Sequence, residues 1–457
     1  MNSNRTINAP SSRSKKYRPL FLVLLSLVII LSTALAAALF KLIKHSKDNP
    51  NDQTNLPTLS IKLSDTSIEE INLLSKDIVY PHNQAILTVN DKSTTFEEVD
   101  IRGRGNLTWN MPKRPYQIKL SQKTDLFGFG LAKKWVLFAD YSDETHLRNS
   151  TAFFLQQILN SAYPIKGKHI ELYIDDVYYG LYYLSEKVEI DKNRIDLKDP
   201  LGLIAELDNL HNTNETCTFY SINGNCLALQ DAVDSENAHT AMELFTEKFN
   251  RLETAISEKD YSAVAEIIDI DSFAKYFLLN EFAINPDAYG SSFFLYSDGY
   301  NDQIHAAAGW DFDAAFGNKH LEIEGVNHSD LINPDNTMFL KNYISNNNEL
   351  KTTSNSHLSR LSTIIYDLAD FPEFITRVKE IYQSTLATKK DTVLEHISTQ
   401  ANTIRTAALK DSIRWKLDLD FDEEVKYLLD WITERYNHFE QIYTAPLTST
   451  TTSKSLF

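Results

Sequence analysis

The hydrophobic periodicity of this chain changes near residue 230, and that change constrains its fold more than any other feature. Before it, short runs of β-branched and aromatic residues alternate with polar residues and end at turn residues, a pattern typical of β-strands. The predicted strands cover residues 85–89, 116–120, 135–138, 171–174 and 181–184. One helix is predicted among them, over residues 145–161, because apolar residues recur there at helical spacing.

After residue 230 the apolar residues recur mainly at helical spacing. The predicted helices cover residues 236–257, 259–268, 271–284, 351–370, 372–409 and 422–443. A short β-type excursion at residues 292–297 and 303–308 separates two groups of these helices. A strand-rich lobe followed by a helical lobe predicts an α+β fold, and ligands often bind where such lobes meet.

The amino-terminal region differs from the rest of the chain in charge and hydropathy. Residues 19–40 are 22 residues without a charge, which is long enough for a helix to cross a bilayer. Five basic residues precede them within residues 1–18, so the positive-inside tendency predicts a basic cytoplasmic head, a single-pass membrane anchor and an extracytoplasmic body. A cleaved signal peptide is the alternative, because Ala34-Leu35-Ala36 offers a small-x-small site. Both interpretations export the body.

The charge of the body excludes one class of partner. Residues 1–56 hold eight basic and two acidic residues, a balance of +6, whereas the whole chain has 45 basic and 62 acidic residues and a net charge of −17. The rest of the chain is therefore at −23. Because nucleic-acid phosphates favour positively charged surfaces, we expect no binding to nucleic acid.

We expect one large domain between the membrane segment and the carboxyl terminus. Residues 41–57 are predicted as a linker, residues 58–444 as the domain, and the Thr- and Ser-rich residues 445–457 as a disordered tail. The two cysteines, Cys217 and Cys226, flank an Asn-Gly turn signal and would pair in an oxidising compartment. Two free thiols are the alternative.

Three groups of polar residues have the composition of a catalytic site, and the first of them is basic. The glycine-containing run Arg102–Asn106, followed by Lys113 and Lys119, could approach a polyanion closely. Lys119 alternates with the apolar residues of its strand and therefore points away from their face. A tight basic turn is the alternative for this run.

The second and third groups are acidic. Asp287 follows an apolar helix that Pro286 cannot continue, so its carboxylate would be held on rigid structure. Asp311 and Asp313 flank a phenylalanine and could present oxygens to a hard cation such as Mg²⁺. A turn with solvated side chains is the alternative for each group. Together the three groups supply what phosphoryl transfer requires, namely cations for phosphates, carboxylates for Mg²⁺ and a carboxylate that accepts a proton.

The order of these motifs resembles that of the spore-coat-protein-H (CotH) kinase family over about residues 58–320. The residues that carry the resemblance are Arg102-Gly103-Arg104-Gly105-Asn106, Thr108-Trp109, Lys113-Arg114-Pro115-Tyr116, Ile118-Lys119-Leu120, Lys134-Trp135-Val136-Leu137, Leu147-Arg148-Asn149, Tyr179-Gly180-Leu181-Tyr182, Glu186-Lys187-Val188, Asn280-Glu281, Asn285, Asp287, Trp310-Asp311-Phe312-Asp313 and Phe316-Gly317. The sequence has no Gly-x-Gly-x-x-Gly-x-Val, His-Arg-Asp or Walker-type motif, which excludes an ordinary protein kinase or P-loop enzyme.

The resemblance implies an atypical protein-kinase-like fold with a strand-rich N-lobe and a helical C-lobe, here behind an amino-terminal transmembrane helix. It implies an enzyme that uses ATP and Mg²⁺ to phosphorylate hydroxyl side chains of an acceptor protein. Asp287 would be the catalytic carboxylate and Asp311 the Mg²⁺ ligand, with Asp313 as a second ligand or as a support for the first. The chain has Ser291-Ser292 where family members often carry Asn, which leaves the second metal ligand open.

The resemblance also suggests residues for the nucleotide phosphates. These are Lys119, with Glu186 as its ion-pair partner, and Arg104 and Arg148 as further contacts. The main alternative function is a catalytically inactive, kinase-like cell-surface or coat protein used for binding, because ATP is scarce outside cells. A metal-dependent nuclease or phosphatase and a glycosidase are less favoured by these residues.

Overall fold

Seven strands from the first half of the chain form a sheet that closes on itself. These strands are β1 (Thr58–Lys62), β2 (Tyr80–Val89), β3 (Lys92–Gly103), β4 (Tyr116–Asp125), β5 (Leu131–Phe138), β6 (Gly167–Ile174) and β7 (Val177–Glu186). Their order is β1-β2-β3-β4-β5-β7-β6, and the barrel closes because β1 pairs antiparallel with β2 and parallel with β6. This computed structural model describes residues 54–210, 217, 219–321, 327–337 and 362–444.

Strand β5 shows why the closed sheet can pack against the rest of the protein. Successive side chains of a strand point to opposite faces. Trp135 and Leu137 accordingly lie in the core inside the closed sheet, whereas Val136 and Phe138 belong to the larger core outside it. All four are buried, so this side of the sheet is covered on both faces.

A second sheet takes its strands from both sides of residue 230. Its strands are β8 (Gly202–Leu207), β9 (Phe219–Tyr220), β10 (Cys226–Ala232), β11 (Phe293–Asp298) and β12 (His305–Ala306). Their order is β12-β11-β8-β10-β9 with antiparallel pairing throughout, so β8 from the first half lies beside β11 from the second. A disulfide joins Cys217 to Cys226 at the start of β10, which decides between the two interpretations of the cysteines.

Helices cover the second sheet and one side of the closed sheet. They are α1 (Ile68–Leu73), α2 (Arg148–Ile158), α3 (Ala238–Ser257), α4 (Tyr261–Ile267), α5 (Ile270–Ala283), α6 (His328–Leu331), α7 (Ile364–Leu368), α8 (Pro372–Ser384), α9 (Lys390–Trp415) and α10 (Phe421–Tyr443). The helices predicted at 236–257, 271–284 and 422–443 are confirmed to within two residues. Much of the helix predicted at 351–370 lies outside the described residues.

The prediction of a two-lobe fold, with strands in one lobe and helices in the other, is wrong. The described residues from Asn55 onward form one compact unit. Its larger core joins Phe153 of α2 to Phe277 of α5 and Phe439 of α10, and the second sheet contributes Leu207 and Leu295 to the same core. The observed architecture is a closed seven-stranded sheet with a second five-stranded sheet and helices packed against it.

The predicted membrane topology is also corrected. Among the helices that the structure describes, none is both long and apolar enough to cross a membrane, so the single-pass localisation is not supported. The predicted head (1–18), the predicted anchor (19–40), most of the predicted linker and the predicted tail (445–457) lie outside the described residues.

Candidate active site

A cleft of about 930 Å³ lies where the closed sheet meets the second sheet. The closed sheet contributes residues that follow β3 and β5, and the second sheet contributes residues of β8, β10 and β11. The segment that leaves β7, beginning at Lys187 and Val188, also lines it. Four of the residues predicted from the sequence line this cleft, namely Arg104, Asp287, Asp311 and Asp313.

Asp287 is positioned by the way helix α5 ends. The helix stops at Ile284, which adopts the left-handed conformation with φ 47°, and the backbone N–H of Asn285 donates to the carbonyl of Asn280 at 3.1 Å. The side-chain oxygen of Asn285 then accepts from the backbone N–H of Asp287 at 3.2 Å. A proline before Asp287 prevents the helix from continuing, so the carboxylate projects from the rigid end of a buried helix.

Asp311 and Asp313 reach the cleft because Phe312 between them is anchored in the core. Phe312 is fully buried, and its backbone N–H donates to the side-chain oxygen of Asn149 at 2.8 Å. Asp311 has a φ of 53°, in the left-handed region that is costly for a residue other than glycine. Its Oδ2 accepts from the hydroxyl of Ser292 at 3.2 Å. The local strain thus turns two carboxylates to the same side of the loop.

Carboxylates crowd around Asp313. Burial raises the pKa of Asp313 well above its usual range, and the negative charges of Asp311, Asp287 and Asp140 raise it further. Its Oδ2 accepts from the hydroxyl of Ser142 at 3.4 Å. The cleft therefore concentrates negative charge at one place, which is the environment that a bound cation would stabilise.

Arg104 is the predicted cation that interacts electrostatically with these carboxylates. Its guanidinium stacks on the rings of Phe138 and Trp310, each with its centroid 5.1 Å away. Removal from water lowers the pKa of Arg104, and the charge of Asp311 is the largest effect opposing that decrease. Its Nη1 is buried and has no hydrogen-bond partner among the described residues. A donor held this way is suited to an anionic ligand.

The other three predicted residues lie outside the cleft lining. Lys119 is half exposed and pairs with Asp100 at 3.3 Å on the outside of the closed sheet. Arg148 is buried and pairs with Asp143, and its Nε donates to the carbonyl of Ala315 at 3.0 Å.

Glu186 also differs from its predicted arrangement. Its carboxylate is buried in an ion pair with Arg194, and it accepts from the backbone N–H of Lys166 at 2.8 Å. The predicted pair between Lys119 and Glu186 is therefore not the arrangement that the structure shows. The positions of both residues give no support to a contact with phosphate.

Several charged residues of the cleft, among them Asp140 and Lys187, were not predicted as site residues from the sequence. Asp140 follows β5 and accepts from the side chain of Asn149 at 2.9 Å, and burial together with the charge of Asp143 raises its pKa to about 7. Lys187 follows β7, and burial lowers its pKa while Glu189 opposes the decrease. A signal for Lys187 was present in the Glu186-Lys187-Val188 motif, but the sequence does not tell which of two neighbouring charges faces a cleft.

The matching family profile is consistent with this arrangement. The profile described as CotH kinase protein matches residues 101–439, which include Asp140, Asp287, Asp311 and Asp313 of the cleft. The chain belongs to the CotH kinase protein family. As a family member it is a kinase-like protein, in agreement with the resemblance carried by its motifs.

Two further comparisons complete the description of this CotH-family chain. A crystal structure of the Golgi casein kinase is similar at 11% identity and a TM-score of 0.23, over 85% of this chain and 75% of that one. Among curated proteins, no match to this chain was found.

Proposed function

We propose that this CotH-family protein transfers the γ-phosphate of ATP to hydroxyl side chains of an acceptor protein. The observation that carries the proposal is the convergence of Asp287, Asp311 and Asp313 with Arg104 and Lys187 on one cleft. Phosphoryl transfer depends mainly on positioning and on electrostatic stabilisation, and it needs both signs of charge in one site.

The carboxylates of Asp311 and Asp313 fit a bound Mg²⁺ ion. They offer the oxygen ligands that this ion prefers, and the pKa of Asp313 is raised by burial and by neighbouring negative charge that a cation would relieve. Mg²⁺ bound there would neutralise charge on the phosphates. The positively charged Arg104 and Lys187 would bind the negatively charged phosphate oxygens. The stacking of Arg104 on two rings would keep its guanidinium in place.

Asp287 is the proposed proton acceptor. The acceptor hydroxyl oxygen would form a new bond to the γ-phosphorus while the bond from that phosphorus to the β–γ bridging oxygen breaks. The electron pair of that bond leaves with ADP, and the proton of the hydroxyl passes to the Asp287 carboxylate. The rigid end of helix α5 supports this role because it fixes where the carboxylate projects.

The experiment is transfer of labelled phosphate from ATP, with Mg²⁺, to a degenerate peptide library containing Ser, Thr and Tyr and to the chain itself. We expect labelling by the wild-type protein and a loss on the order of 1,000-fold in Asp311→Ala, since a metal ligand contributes several kcal/mol to transition-state stabilisation. The matched control is Asp100→Ala, because Asp100 pairs with Lys119 outside the cleft lining. Its activity should equal that of the wild type.

Three outcomes would contradict the proposal. Equal labelling by the wild-type protein and Asp311→Ala would remove the metal-ligand assignment. An increase in thermal stability with ATP and Mg²⁺ but no labelling of any acceptor would instead favour a nucleotide-binding protein without transfer. If neither a stability increase nor labelling is observed, the result would favour a kinase-like protein used only for binding a partner.

A further inference from the structure

A second group of metal-ligating side chains lies outside the lining of the cleft. Glu144 precedes helix α2, His320 follows the loop that carries Asp311 and Asp313, and Glu424 belongs to the first turn of helix α10. One possible ligand atom from each of these three residues lies within 4.8 Å of the others. We call Glu144, His320 and Glu424 the Glu-His-Glu cluster.

The imidazole of His320 faces both carboxylates. Its Nδ1 lies 3.4 Å from Oε1 of Glu144, and its Nε2 lies 3.1 Å from Oε2 of Glu424. The backbone N–H of His320 donates to the side-chain oxygen of Asn318 at 2.9 Å, which fixes the position of this residue in the loop. Three segments that are distant in the sequence therefore meet at one ring.

Glu424 provides the independent sign that a ligand belongs here. The residue is only 6% exposed, and its Oε1 is paired with the Nζ of Lys319 at 2.7 Å. Its Oε2 is buried and makes no hydrogen bond within the described part of the chain, although the Nε2 of His320 lies 3.1 Å away. A buried anionic oxygen that makes no hydrogen bond is costly, and coordination of a cation would satisfy it.

We propose that the Glu-His-Glu cluster binds one divalent transition-metal ion, and that zinc is the ion it fits best. Imidazole nitrogen and carboxylate oxygen are both zinc ligands, whereas Mg²⁺ and Ca²⁺ favour oxygen ligands alone. Zinc lies about 2.0–2.2 Å from such ligands, so the ligand atoms would draw closer together on binding. Three protein ligands leave a fourth position for water.

The bound ion would cross-link helix α10 to segments that lead into the active site. Asn318, two residues before His320, donates from its side chain to the carbonyl of Asp313 at 2.6 Å and to that of Ser142 at 2.9 Å. The cluster thus joins helix α10 to the two segments that carry Asp313 and Ser142. We expect zinc to stabilise the folded chain, because a ligand that binds only the folded state raises its stability by mass action.

The test measures zinc binding by the full chain, after chelation and removal of metal, with isothermal titration using zinc alone. We expect one zinc ion per chain and an increase in melting temperature that grows with zinc concentration. In His320→Ala we expect affinity to fall by at least about tenfold, since loss of even an indirect partner of a metal ligand costs about that much. Glu144→Gln should weaken binding similarly and provides a second variant with little change of shape.

Two controls separate this site from the cleft and from the protein surface. Asp311→Asn should retain zinc binding, so the result is independent of the proposed kinase activity. His239→Ala changes another histidine beside a glutamate, in an exposed pair at 3.3 Å, and should also retain it. The proposal is overturned if the wild-type chain binds no zinc, which would indicate an ion-paired histidine only. It is equally overturned if His320→Ala and Glu144→Gln bind zinc as tightly as the wild type.

Discussion

The cleft and the interior beside it treat buried charge in opposite ways. In the cleft, burial raises the pKa of Asp313, and the negative charges of Asp311, Asp287 and Asp140 raise it further. Where the cleft meets the interior, Lys113 and Asp411 are both fully buried and face each other at 2.8 Å. The comparison shows that this fold pairs one buried charge directly with its counter-charge, whereas in the cleft it groups several carboxylates around Asp313.

The pair between Lys113 and Asp411 connects distant elements. Asp411 belongs to helix α9, and its Oδ1 also accepts from the backbone N–H of Leu181 in β7 at 2.7 Å. Gly180 beside it has a φ of 136°, and a Cβ there would lie 2.3 Å from the same oxygen. The close approach that this position allows lets the helix carboxylate reach the backbone of the closed sheet.

The largest expected effect comes from breaking the compensated pair. Asp411→Ala leaves the Lys113 ammonium buried without its counter-charge, and we expect the free energy of unfolding to fall by about 3–5 kcal/mol. Urea denaturation measures this as a lower midpoint at an unchanged slope. Asp411→Asn is the matched control, because it keeps an oxygen for the Leu181 N–H and should lose less. A change below about 1 kcal/mol in Asp411→Ala would contradict the compensation.

The next effect tests the carboxylates of the cleft through the pH dependence of stability. The pKa of Asp140 is raised to about 7, so the folded state favours its neutral form. The contribution of this group to the free energy of unfolding is therefore complete below about pH 4. That stability is lost as the pH rises towards about 7. Asp140→Asn removes the titration while keeping an oxygen for Asn149, so above pH 7 the variant should be more stable than the wild type by about 2–4 kcal/mol.

Urea denaturation without divalent cations, between pH 4 and pH 8, measures the difference between Asp140→Asn and the wild type. The two proteins should converge near pH 4 and separate as the pH rises. A difference that does not change across this range would show that Asp140 keeps an ordinary pKa, and that burial and the charge of Asp143 do not raise it.

The smallest effect sharpens the assignment of the phosphate-binding cation. Lys187→Ala should weaken the affinity for ATP by about tenfold, or about 1.4 kcal/mol, because it removes a cation that lines the cleft. Lys119→Ala should leave that affinity unchanged, since its exposed pair with Asp100 contributes little. ATP titration followed by the change in melting temperature compares the two variants. The reverse order of effects would restore Lys119 as the predicted contact.

Much of the local structure could be predicted, because it depends on short-range patterns. Helical periodicity indicated α3 and α10 to within two residues, and the proline after α5 indicated where that helix ends. The sequence did not show that β8 and β10 join β11 in one sheet, since pairing across residue 230 leaves no local pattern. Closure of the first sheet likewise depends on β1 pairing with β6, more than a hundred residues away.

The candidate site was predicted in part for the same reason. Asp287, Asp311 and Asp313 were recognised from motifs with distinctive neighbours, and all three line the cleft. Lys119 was suggested by the family resemblance, and the alternation of its strand correctly separates it from Ile118 and Leu120. Which face of a strand meets a cleft, however, depends on what packs against that face. The structure packs the cleft against residues that follow β5 and β7, so Asp140 and Lys187 line it and Lys119 does not.

The sequence by itself determined the helices and strands with clear periodicity, the turns that end them, and a set of acidic and basic residues with the composition of a phosphoryl-transfer site. Only the tertiary structure decided that the strands form two sheets in one unit, which carboxylates share a cleft, and which cations are already paired elsewhere. The physical reason is one of distance. Periodicity acts between residues a few positions apart in the chain, whereas charges act over a few ångströms in space, and only the folded chain sets those separations.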